Sequence, residues 1–346
     1  MWQVPVFALP AHKLTTFDSS CWHGYAARVA SHPIVGQRIV VTGGAGFIGS
    51  HLVRRLLKLG AAQVVVIDSL RYGDQANLAG TTDAVELVQH TLGSDDPVQL
   101  DGPLTGASLL FHLAAEKHNQ SKDSPDRVYR ANIAGTHSLY ERAIHAGVQK
   151  IVFSSSLYAY GRVQGSPFVE TEVPEPRTVY GISKLAGEHV LAHFAQVHGI
   201  STMVLRYFFI YGPKQFAGMG YKSVIMKSFE RLLAGQAPIV FGDGEQTLDY
   251  VYVDDAVDAA IRAMTQDVTG KTLNVASGRG VSVNALLDTM IRVSGKAAQA
   301  EPGPADWTAG TVRVGDPKLA RETLGFAATT SLEDGLRQTY EWIRSQ

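Results

Sequence analysis

A tyrosine, a lysine and a serine form the part of this sequence that can move a proton. Tyr180 and Lys184 stand four residues apart in YGISK, and Ser156 ends a run of three serines. Residues four apart share a helical face, so both side chains can address one ligand. This trio fits the oxidation of an alcohol, in which the hydroxyl proton leaves as hydride is taken from the carbon.

The role of each residue follows from the acidity of a phenol. Tyrosine has a pKa near ~10, and lowering it by about three units requires ~4 kcal/mol. One cation about 4 Å away offers about that much at an effective dielectric constant of roughly 20. We predict that Tyr180 is the acid/base, that Lys184 is this cation, and that Ser156 hydrogen-bonds the reacting oxygen. The positive nicotinamide of an oxidised cofactor would add to the effect of Lys184.

A glycine-rich turn upstream is typical of a dinucleotide site. Gly43, Gly46 and Gly49 stand three apart in TGGAGFIG, between an apolar run and an amphipathic one. Glycines permit a tight turn and the close approach of a pyrophosphate, and the free N–H groups of the following helix face the phosphates. Asp68 ends the next apolar run, where a carboxylate accepts from ribose hydroxyls and repels a 2′-phosphate. NAD is therefore favoured over NADP, although Arg71 lies close in sequence.

Short apolar runs alternate with helical periodicity around these residues. Strands are predicted from Arg38 into the glycines and over 64–68, 85–88, 109–115, 150–156 and 201–208. Helices are predicted from Ile48 to Leu59 and over 125–147 and 180–198. The pattern predicts an α/β fold, a Rossmann doubly wound parallel sheet with helices on both faces.

The alternation becomes irregular after about residue 212. Helices are predicted at 221–235, 254–265, SVNALLDTMIRVSG and SLEDGLRQTYEWI, with Asp254 and Asp255 capping the second of them. We predict an N-terminal extension (1–37), a NAD-binding Rossmann domain (38–212) and mainly a substrate-binding lobe (213–346), with some interleaving of the chain. The aromatic-rich extension is expected to pack on the body or on a second subunit.

Composition narrows the class of protein. The 346 residues are 45% hydrophobic and 18% charged, with a net charge of −1, so binding of nucleic acid or an acidic membrane surface is not indicated. No apolar run approaches the ~20 residues of a membrane helix. The single cysteine forbids an intrachain disulfide, and the 12 histidines show no metal spacing. A cytoplasmic enzyme without a metal is the expectation.

The motifs together resemble the extended short-chain dehydrogenase/reductase family, in particular its nucleotide-sugar epimerase/dehydratase branch. The resemblance runs from about residue 38 to the C-terminus, through TGGAGFIGSHL, HLAA, NIAGT, SSSLYAYG, YGISK, LRYFFIYGP and GDGEQTLDYVYVDD. It implies a Rossmann domain with a small C-terminal lobe, often dimeric through a four-helix bundle. It also implies NAD contacts, besides the glycines, from Phe47, Ile48, Asp68, Ser69, Ala114, Lys117, Asn132, Tyr180, Lys184 and Phe208.

Within this branch the residues after the serines resemble the 4-epimerases. The 4,6-dehydratases carry an acid pair in STDEVYG, whereas Leu157 and Tyr158 stand at the matching positions here and cannot eliminate water. The resemblance implies oxidation of C4 of a nucleotide hexose, rotation of the keto-sugar and return of hydride to its other face. Substrate contacts are expected from Ser156, Tyr158, Phe209 and Lys222.

Several positions depart from the family pattern. Phe209 replaces an asparagine that often meets the substrate, and Leu248 replaces an arginine that grips the pyrophosphate in relatives. Arg313 or Lys222 is the candidate substitute for that arginine, because PGPADWTAG offers none. His90 and Thr91 replace an Asp–Ile pair near the adenine. The nucleotide and the sugar therefore stay open.

Two other functions fit the same motifs. A related NAD-dependent dehydrogenase or reductase of a sugar or alcohol would form NADH in net amounts, which an epimerase does not. A regulatory protein that binds NAD without turnover would not need the Tyr180, Lys184 and Ser156 trio.

Overall fold

A seven-stranded parallel sheet lies at the centre of the computed structural model, which describes residues 34–81, 83–161, 165–215, 222–305 and 310–346. Its strands are β1 (Arg38–Thr42), β2 (Gln63–Asp68), β3 (Val85–Gln89), β4 (Leu109–His112), β5 (Lys150–Ser156), β6 (Ser201–Tyr207) and β10 (Lys271–Val275). Their spatial order is β10-β6-β5-β4-β1-β2-β3, with every neighbouring pair parallel. The predicted Rossmann sheet is confirmed.

Helices cover both faces of this sheet, which explains why its strands are apolar on both sides. One face packs against α1 (Phe47–Lys58), α8 (Val253–Thr265) and α10 (Lys318–Leu324). The other face packs against the short α2 (Asp101–Leu104) and against α5 (Gly135–His145) and α6 (Val179–His198). Two short helices, α3 (Gln120–Asp123) and α4 (Pro125–Tyr129), precede α5.

A smaller lobe is built from the later part of the chain. A four-stranded sheet holds β7 (Phe209–Tyr211), β9 (Thr247–Tyr252), β11 (Gly280–Ser282) and β13 (Val312–Arg313), and a two-stranded sheet pairs β8 (Ile239–Phe241) with β12 (Glu301–Gly303). An apolar cluster joins them to α7 (Val224–Leu233), α9 (Val283–Ser294) and α11 (Leu332–Arg344). Because β10 returns to the large sheet, residues after 212 contribute to both layers. The domain boundaries themselves stay predictions.

Four element predictions need correction. The helix expected at 125–147 is interrupted by a π-helical segment at 130–134, where the Asn132 side chain bonds the backbone of Glu116. Asp254 and Asp255 lie in the first turn of α8, whose N-cap is Tyr252, so they do not cap it. The strands expected to end at residues 115 and 208 end at His112 and Tyr207.

The ends of two other predicted segments lie beyond the described ranges. Helix α7 begins at Val224 and ends at Leu233 instead of spanning 221–235, and residue 221 is outside the described part. Residues 1–33 of the predicted extension are outside it as well. Within the described ranges, no helix is both long and apolar enough to cross a membrane.

Candidate active site

A cavity of about 500 Å³ opens at the carboxyl ends of the central strands. This is the edge at which open parallel sheets bind ligands. Most of the predicted site residues line it: Gly43, Gly46, Phe47, Ile48, Gly49, Asp68, Ser69, Ala114, Lys117, Ser156, Tyr158, Tyr180, Lys184, Phe208 and Phe209. The fold therefore brings the glycine turn and the Tyr180 trio to one place.

The glycine turn connects β1 to the start of α1. Gly43 has a φ of +71°, and a Cβ there would lie 2.8 Å from the backbone nitrogen of Ala114. At Gly49 a Cβ would overlap the carbonyl oxygen of Gly43, so only glycine lets the helix approach the turn this closely. The first turn of α1 contains no acidic side chain, which leaves its N-terminal N–H groups suited to an anionic pyrophosphate.

Asp68 is held at the end of β2 by the backbone. Its Oδ2 accepts from the nitrogen of Ala45 at 3.0 Å and its Oδ1 from the nitrogen of Leu70 at 2.9 Å. Burial raises the pKa of Asp68, while these two bonds lower it. Each carboxylate oxygen has a second lone-pair direction, so the group can still accept from ribose hydroxyls.

Arg71 is engaged with residues other than Asp68. Its Nε donates to the Tyr72 hydroxyl at 3.1 Å and lies 3.5 Å from Glu116. Tyr72 in turn donates to Glu116 at 2.7 Å, and Lys117 Nζ lies 4.8 Å from the centroid of the Tyr72 ring. Burial lowers the pKa of Lys117. The cluster holds Lys117 at the cavity wall and directs Arg71 toward Glu116, which fits NAD better than NADP.

His90 lies farther along the same edge, next to Asp68. It donates its backbone N–H to the carbonyl oxygen of Asp68 at 3.0 Å, and its side chain is 3% exposed. Within the described chain its Nδ1 has no hydrogen-bond partner, and Asp95 stays 4.0 Å away. His90 and Thr91 both line the cavity.

Ser156, Tyr180 and Lys184 come together where β5 ends and α6 begins. Thr178 caps α6 through the nitrogen of Gly181, which places Tyr180 and Lys184 in its first two turns. Lys184 Nζ donates to the carbonyl oxygen of Ser154 at 2.8 Å and lies 5.8 Å from the centroid of the Tyr180 ring. All three side chains reach the cavity from two adjacent elements.

The electrostatics of the trio differ from the predicted scheme. Burial raises the pKa of Tyr180 to about 12, a hydrogen bond with Ser156 opposes that rise, and the neighbouring Tyr158 phenol adds to it. Burial also lowers the pKa of Lys184 to about 7, against the favourable charge of Glu188. The protein's own groups therefore leave the phenol protonated. Ionisation of Tyr180 needs a further positive charge, which an oxidised nicotinamide has.

Two predicted site residues lie away from the cavity. Asn132 is buried, with its amide bonded to the backbone of Glu116 and, at 3.0 Å, to the hydroxyl of Ser183. It therefore supports the loop that carries Lys117. Lys222 pairs with Glu230 at 2.6 Å and lines neither the first cavity nor the second.

Sequence reasoning also missed residues that contact the trio. His118 lines the cavity next to Lys117, and its ring lies 6.0 Å from that of Tyr180. Glu188, one turn after Lys184 on α6, forms a buried ion pair with Arg206 at 2.7 Å and accepts from Ser155. Glu188 could have been predicted from the sequence, because it stands four residues after Lys184 on the same face of the helix. Among the described residues, no group of three His, Cys, Asp or Glu side chains is arranged to hold a metal ion.

A second cavity of about 500 Å³ adjoins the first. The two share the lining residues Phe209, Ile210, Gln215 and Ser223, so they form one cleft between the large sheet and the smaller lobe. Its walls are mainly apolar and include Leu248 and Tyr250, with Lys227 and Arg231 at the side of α7.

The NAD dependent epimerase/dehydratase family matches residues 39–276. The chain belongs to this family. Its cofactor is NAD, and the glycine turn, Asp68 and Lys117 line the cavity that could hold it. The family contains both epimerases and dehydratases. Membership therefore identifies the fold and the cofactor but does not decide between these reactions.

Individual members of the family show the same range. The chain is 35% identical over 327 residues to UDP-glucose 4-epimerase of Mycolicibacterium smegmatis, covering 90% of this chain and 99% of that protein. It is 30% identical over 325 residues to dTDP-glucose 4,6-dehydratase of Streptomyces griseus, covering 88% and 93%.

Solved structures of family members share the whole fold. UDP-glucose 4-epimerase of Thermotoga maritima, solved with UDP-glucose, has a TM-score of 0.82 and 36% identity, covering 89% of this chain and 99% of that one. UDP-glucuronic acid 4-epimerase of Bacillus cereus, solved with UDP-glucuronic acid and NAD, has a TM-score of 0.79 and 28% identity, covering 89% and 99%.

Proposed function

We propose that this protein is a nucleotide-sugar 4-epimerase that keeps NAD bound through the reaction. The observation that carries the proposal is the meeting of Ser156, Tyr180 and Lys184 with the glycine turn and Asp68 in one cavity. The names of the 4-epimerases among its relatives support the same reading. A 4-epimerase needs one acid/base at the sugar oxygen and one reversible hydride carrier, and this cavity contains a candidate for the first and residues suited to hold the second.

Bound NAD would supply reversible hydride transfer at the sugar carbon, and the glycine turn and Asp68 would hold it. The chain's own residues handle the proton: Tyr180 accepts it from the sugar hydroxyl and later returns it to the carbonyl oxygen. Ser156 hydrogen-bonds that oxygen and holds it at the phenol. Lys184, anchored on the carbonyl of Ser154, keeps a cationic group near Tyr180. The positive charge of an oxidised nicotinamide would add to that of the Lys184 ammonium, and both would favour the phenolate.

The residues after the serines favour epimerisation over dehydration. Leu157 is buried and apolar, and Tyr158 is a phenol, so neither supplies the carboxyl pair that removes water in the dehydratases. The apolar second cavity is suited to the nucleotide base, with Phe209 at the boundary between the two cavities. Of the two candidate phosphate cations, Arg313 has its guanidinium carbon 5.6 Å from the centroid of the Tyr158 ring, whereas Lys222 is paired with Glu230.

Assembly and location complete the proposal. We expect a homodimer in the cytoplasm, with no nucleic-acid or membrane partner, and a division of labour between residues 38–212 for NAD and 213–346 mainly for substrate. Size-exclusion chromatography with light scattering tests the dimer directly.

The decisive test of the function is a panel of nucleotide sugars. The purified protein is incubated with UDP-glucose, UDP-glucuronate, UDP-N-acetylglucosamine and dTDP-glucose, and the products are identified by NMR. We expect one of them to yield its C4 epimer with no net absorbance at 340 nm. Net NADH formation would instead identify the related dehydrogenase, and a 4-keto-6-deoxy product would identify a dehydratase.

A further inference from the structure

Three aromatic rings meet at the acid/base. His118, in the loop after β4, stacks on Tyr158, in the turn after β5, with ring centroids 4.1 Å apart and planes at 19°. The Tyr180 ring stands nearly perpendicular to both, at 6.0 Å and 87° from His118 and at 5.9 Å and 79° from Tyr158. Perpendicular aromatic pairs at these distances attract one another beyond simple burial.

The stack is built from residues that the rest of the mechanism does not use. His118 and Tyr158 both line the cavity, and they come from two different strand ends. Tyr158 is also contacted by the Arg313 guanidinium, 5.6 Å from its ring centroid, which links the stack to β13 of the smaller lobe. Tyr180 itself stands at the start of α6, with two side-chain torsions to be fixed. Contacts from two separate loops can restrict both of these Tyr180 torsions.

We propose that the His118–Tyr158 stack sets the position of the Tyr180 phenol, so that both rings are positioning residues for the proton transfer. The catalytic part of this inference rests on the proposed function. It goes beyond that function by giving Tyr158 a role other than sugar contact and by bringing in His118. Since a reacting group misplaced by about 1 Å loses on the order of 100-fold in rate, the packing of a ring can control turnover.

The imidazole acts in this scheme by its shape and not by its charge. Burial lowers the pKa of His118, a hydrogen bond to Asn119 at 3.2 Å raises it, and the nearby charges of Arg313 and Lys122 lower it. Among the described residues, the rings that face it are those of Tyr158 and Tyr180. His118 is therefore neutral at neutral pH, and a phenyl ring should replace it.

The test compares two substitutions at His118 and two at Tyr158. His118→Phe and Tyr158→Phe keep a ring, while His118→Ala and Tyr158→Ala remove it. We expect each alanine variant to lower kcat by about 10- to 100-fold with little change in KM, and each phenylalanine variant to restore kcat to within about threefold. Two results would overturn the proposal: a His118→Phe variant as slow as His118→Ala, or an alanine variant with the full kcat.

A second readout needs no substrate and so separates this proposal from the function. In protein labelled with [ζ-¹³C]tyrosine, the resonance missing from Tyr180→Phe belongs to Tyr180, and its shift against pH gives its pKa. Burial raises that pKa to about 12, so opening the cluster to water should lower it toward 10 in His118→Ala and not in His118→Phe. This pattern without turnover of any nucleotide sugar would sink only the proposed function. A Tyr180 resonance with the same chemical shift and pH dependence in His118→Ala as in the native protein would contradict the positioning role.

Discussion

At the scale of single residues, the account depends on a phenol that its own surroundings keep protonated. Tyr180 and Lys184 both shift toward their neutral forms because the cavity removes them from water. The lysine alone therefore does not make the tyrosine a base. An oxidised nicotinamide would supply the missing positive charge, and this would tie proton transfer to the oxidised state of NAD.

Replacing Tyr180 by phenylalanine tests this role. Tyr180→Phe removes the proton acceptor and keeps the ring, so turnover should fall by about 100-fold or more while NAD stays bound. Initial rates and NAD content after gel filtration measure the two effects. Tyr129→Phe, at a tyrosine that is 59% exposed, is the control and should match the native rate. Full activity of Tyr180→Phe would contradict the assignment.

The sequence predicted the trio because its chemistry has a fixed spacing on a helix and a fixed place after a strand. It did not show Lys184 anchored on Ser154, because that bond depends on how closely α6 packs on β5. His118 was missed for a related reason, since its ring meets Tyr158 only through tertiary folding. The sequence predicted Asn132 as a cofactor contact, whereas in the structure its amide oxygen accepts from the backbone nitrogen of Glu116.

At the scale of elements, α6 is fastened to the large sheet by a buried ion pair. Glu188 on α6 and Arg206 on β6 form two bonds of 2.7 Å and 3.0 Å, and both side chains are less than 10% exposed. Ser155 donates to the same carboxylate, and Arg206 lies 4.3 Å from the centroid of the Tyr160 ring. The pair sits one helical turn from Lys184, so it supports the catalytic end of the helix.

Loss of this pair should be costly. Glu188→Ala leaves the buried Arg206 guanidinium without its counter-ion, which lowers the free energy of unfolding by about 3–5 kcal/mol. Urea denaturation followed by circular dichroism measures it. Glu333→Ala removes exposed pairs with Arg292 and Arg337 and should cost less than about 1 kcal/mol. Equal losses at the two sites would contradict the buried-anchor interpretation.

The end of β4 gives the fold a dependence on pH. His112 is buried between Thr42 and Thr136, and burial lowers its pKa from 6.5 to about 3. Between these values only the unfolded chain holds the proton, so stability falls as pH falls below 6.5. The loss should reach about 2 kcal/mol at pH 5, at ~1.4 kcal/mol per unit.

Denaturation at pH 6.5 and at pH 5 measures that loss. His112→Gln should show a smaller difference between the two, whereas His145→Gln, at an exposed histidine, should keep the native difference. An unchanged pH dependence in His112→Gln would show that other groups cause it.

At the scale of the whole molecule, the site lies between the large parallel sheet and the smaller lobe. The large sheet carries the cofactor turn and the trio, and the smaller lobe carries the second cavity and Arg313. Periodicity predicted the first layer well because its strands are buried on both faces. It predicted the second poorly, because short strands such as β7, β11 and β13 are set by pairing with β9 and not by their own sequence.

Arg313 should bind the phosphates of the substrate across this cleft. Arg313→Ala removes a charged hydrogen-bond donor, which is expected to weaken binding of UDP by about 10- to 100-fold. Isothermal titration with UDP in the presence of NAD measures this. Arg344→Ala, at an exposed arginine of α11, should bind UDP like the native protein. Native affinity in Arg313→Ala would assign the phosphates to another group.

The path of the hydrogen at C4 tests the central claim most directly. The protein is incubated with UDP-glucose deuterated at C4, or with whichever nucleotide sugar the panel identifies, and the product is examined by NMR and mass spectrometry. Hydride that leaves for bound NAD and returns to the same sugar predicts a C4 epimer that keeps its deuterium. Tyr180→Phe should form this epimer about 100-fold more slowly or not at all. A C4 epimer whose deuterium has been replaced by solvent hydrogen would contradict the account.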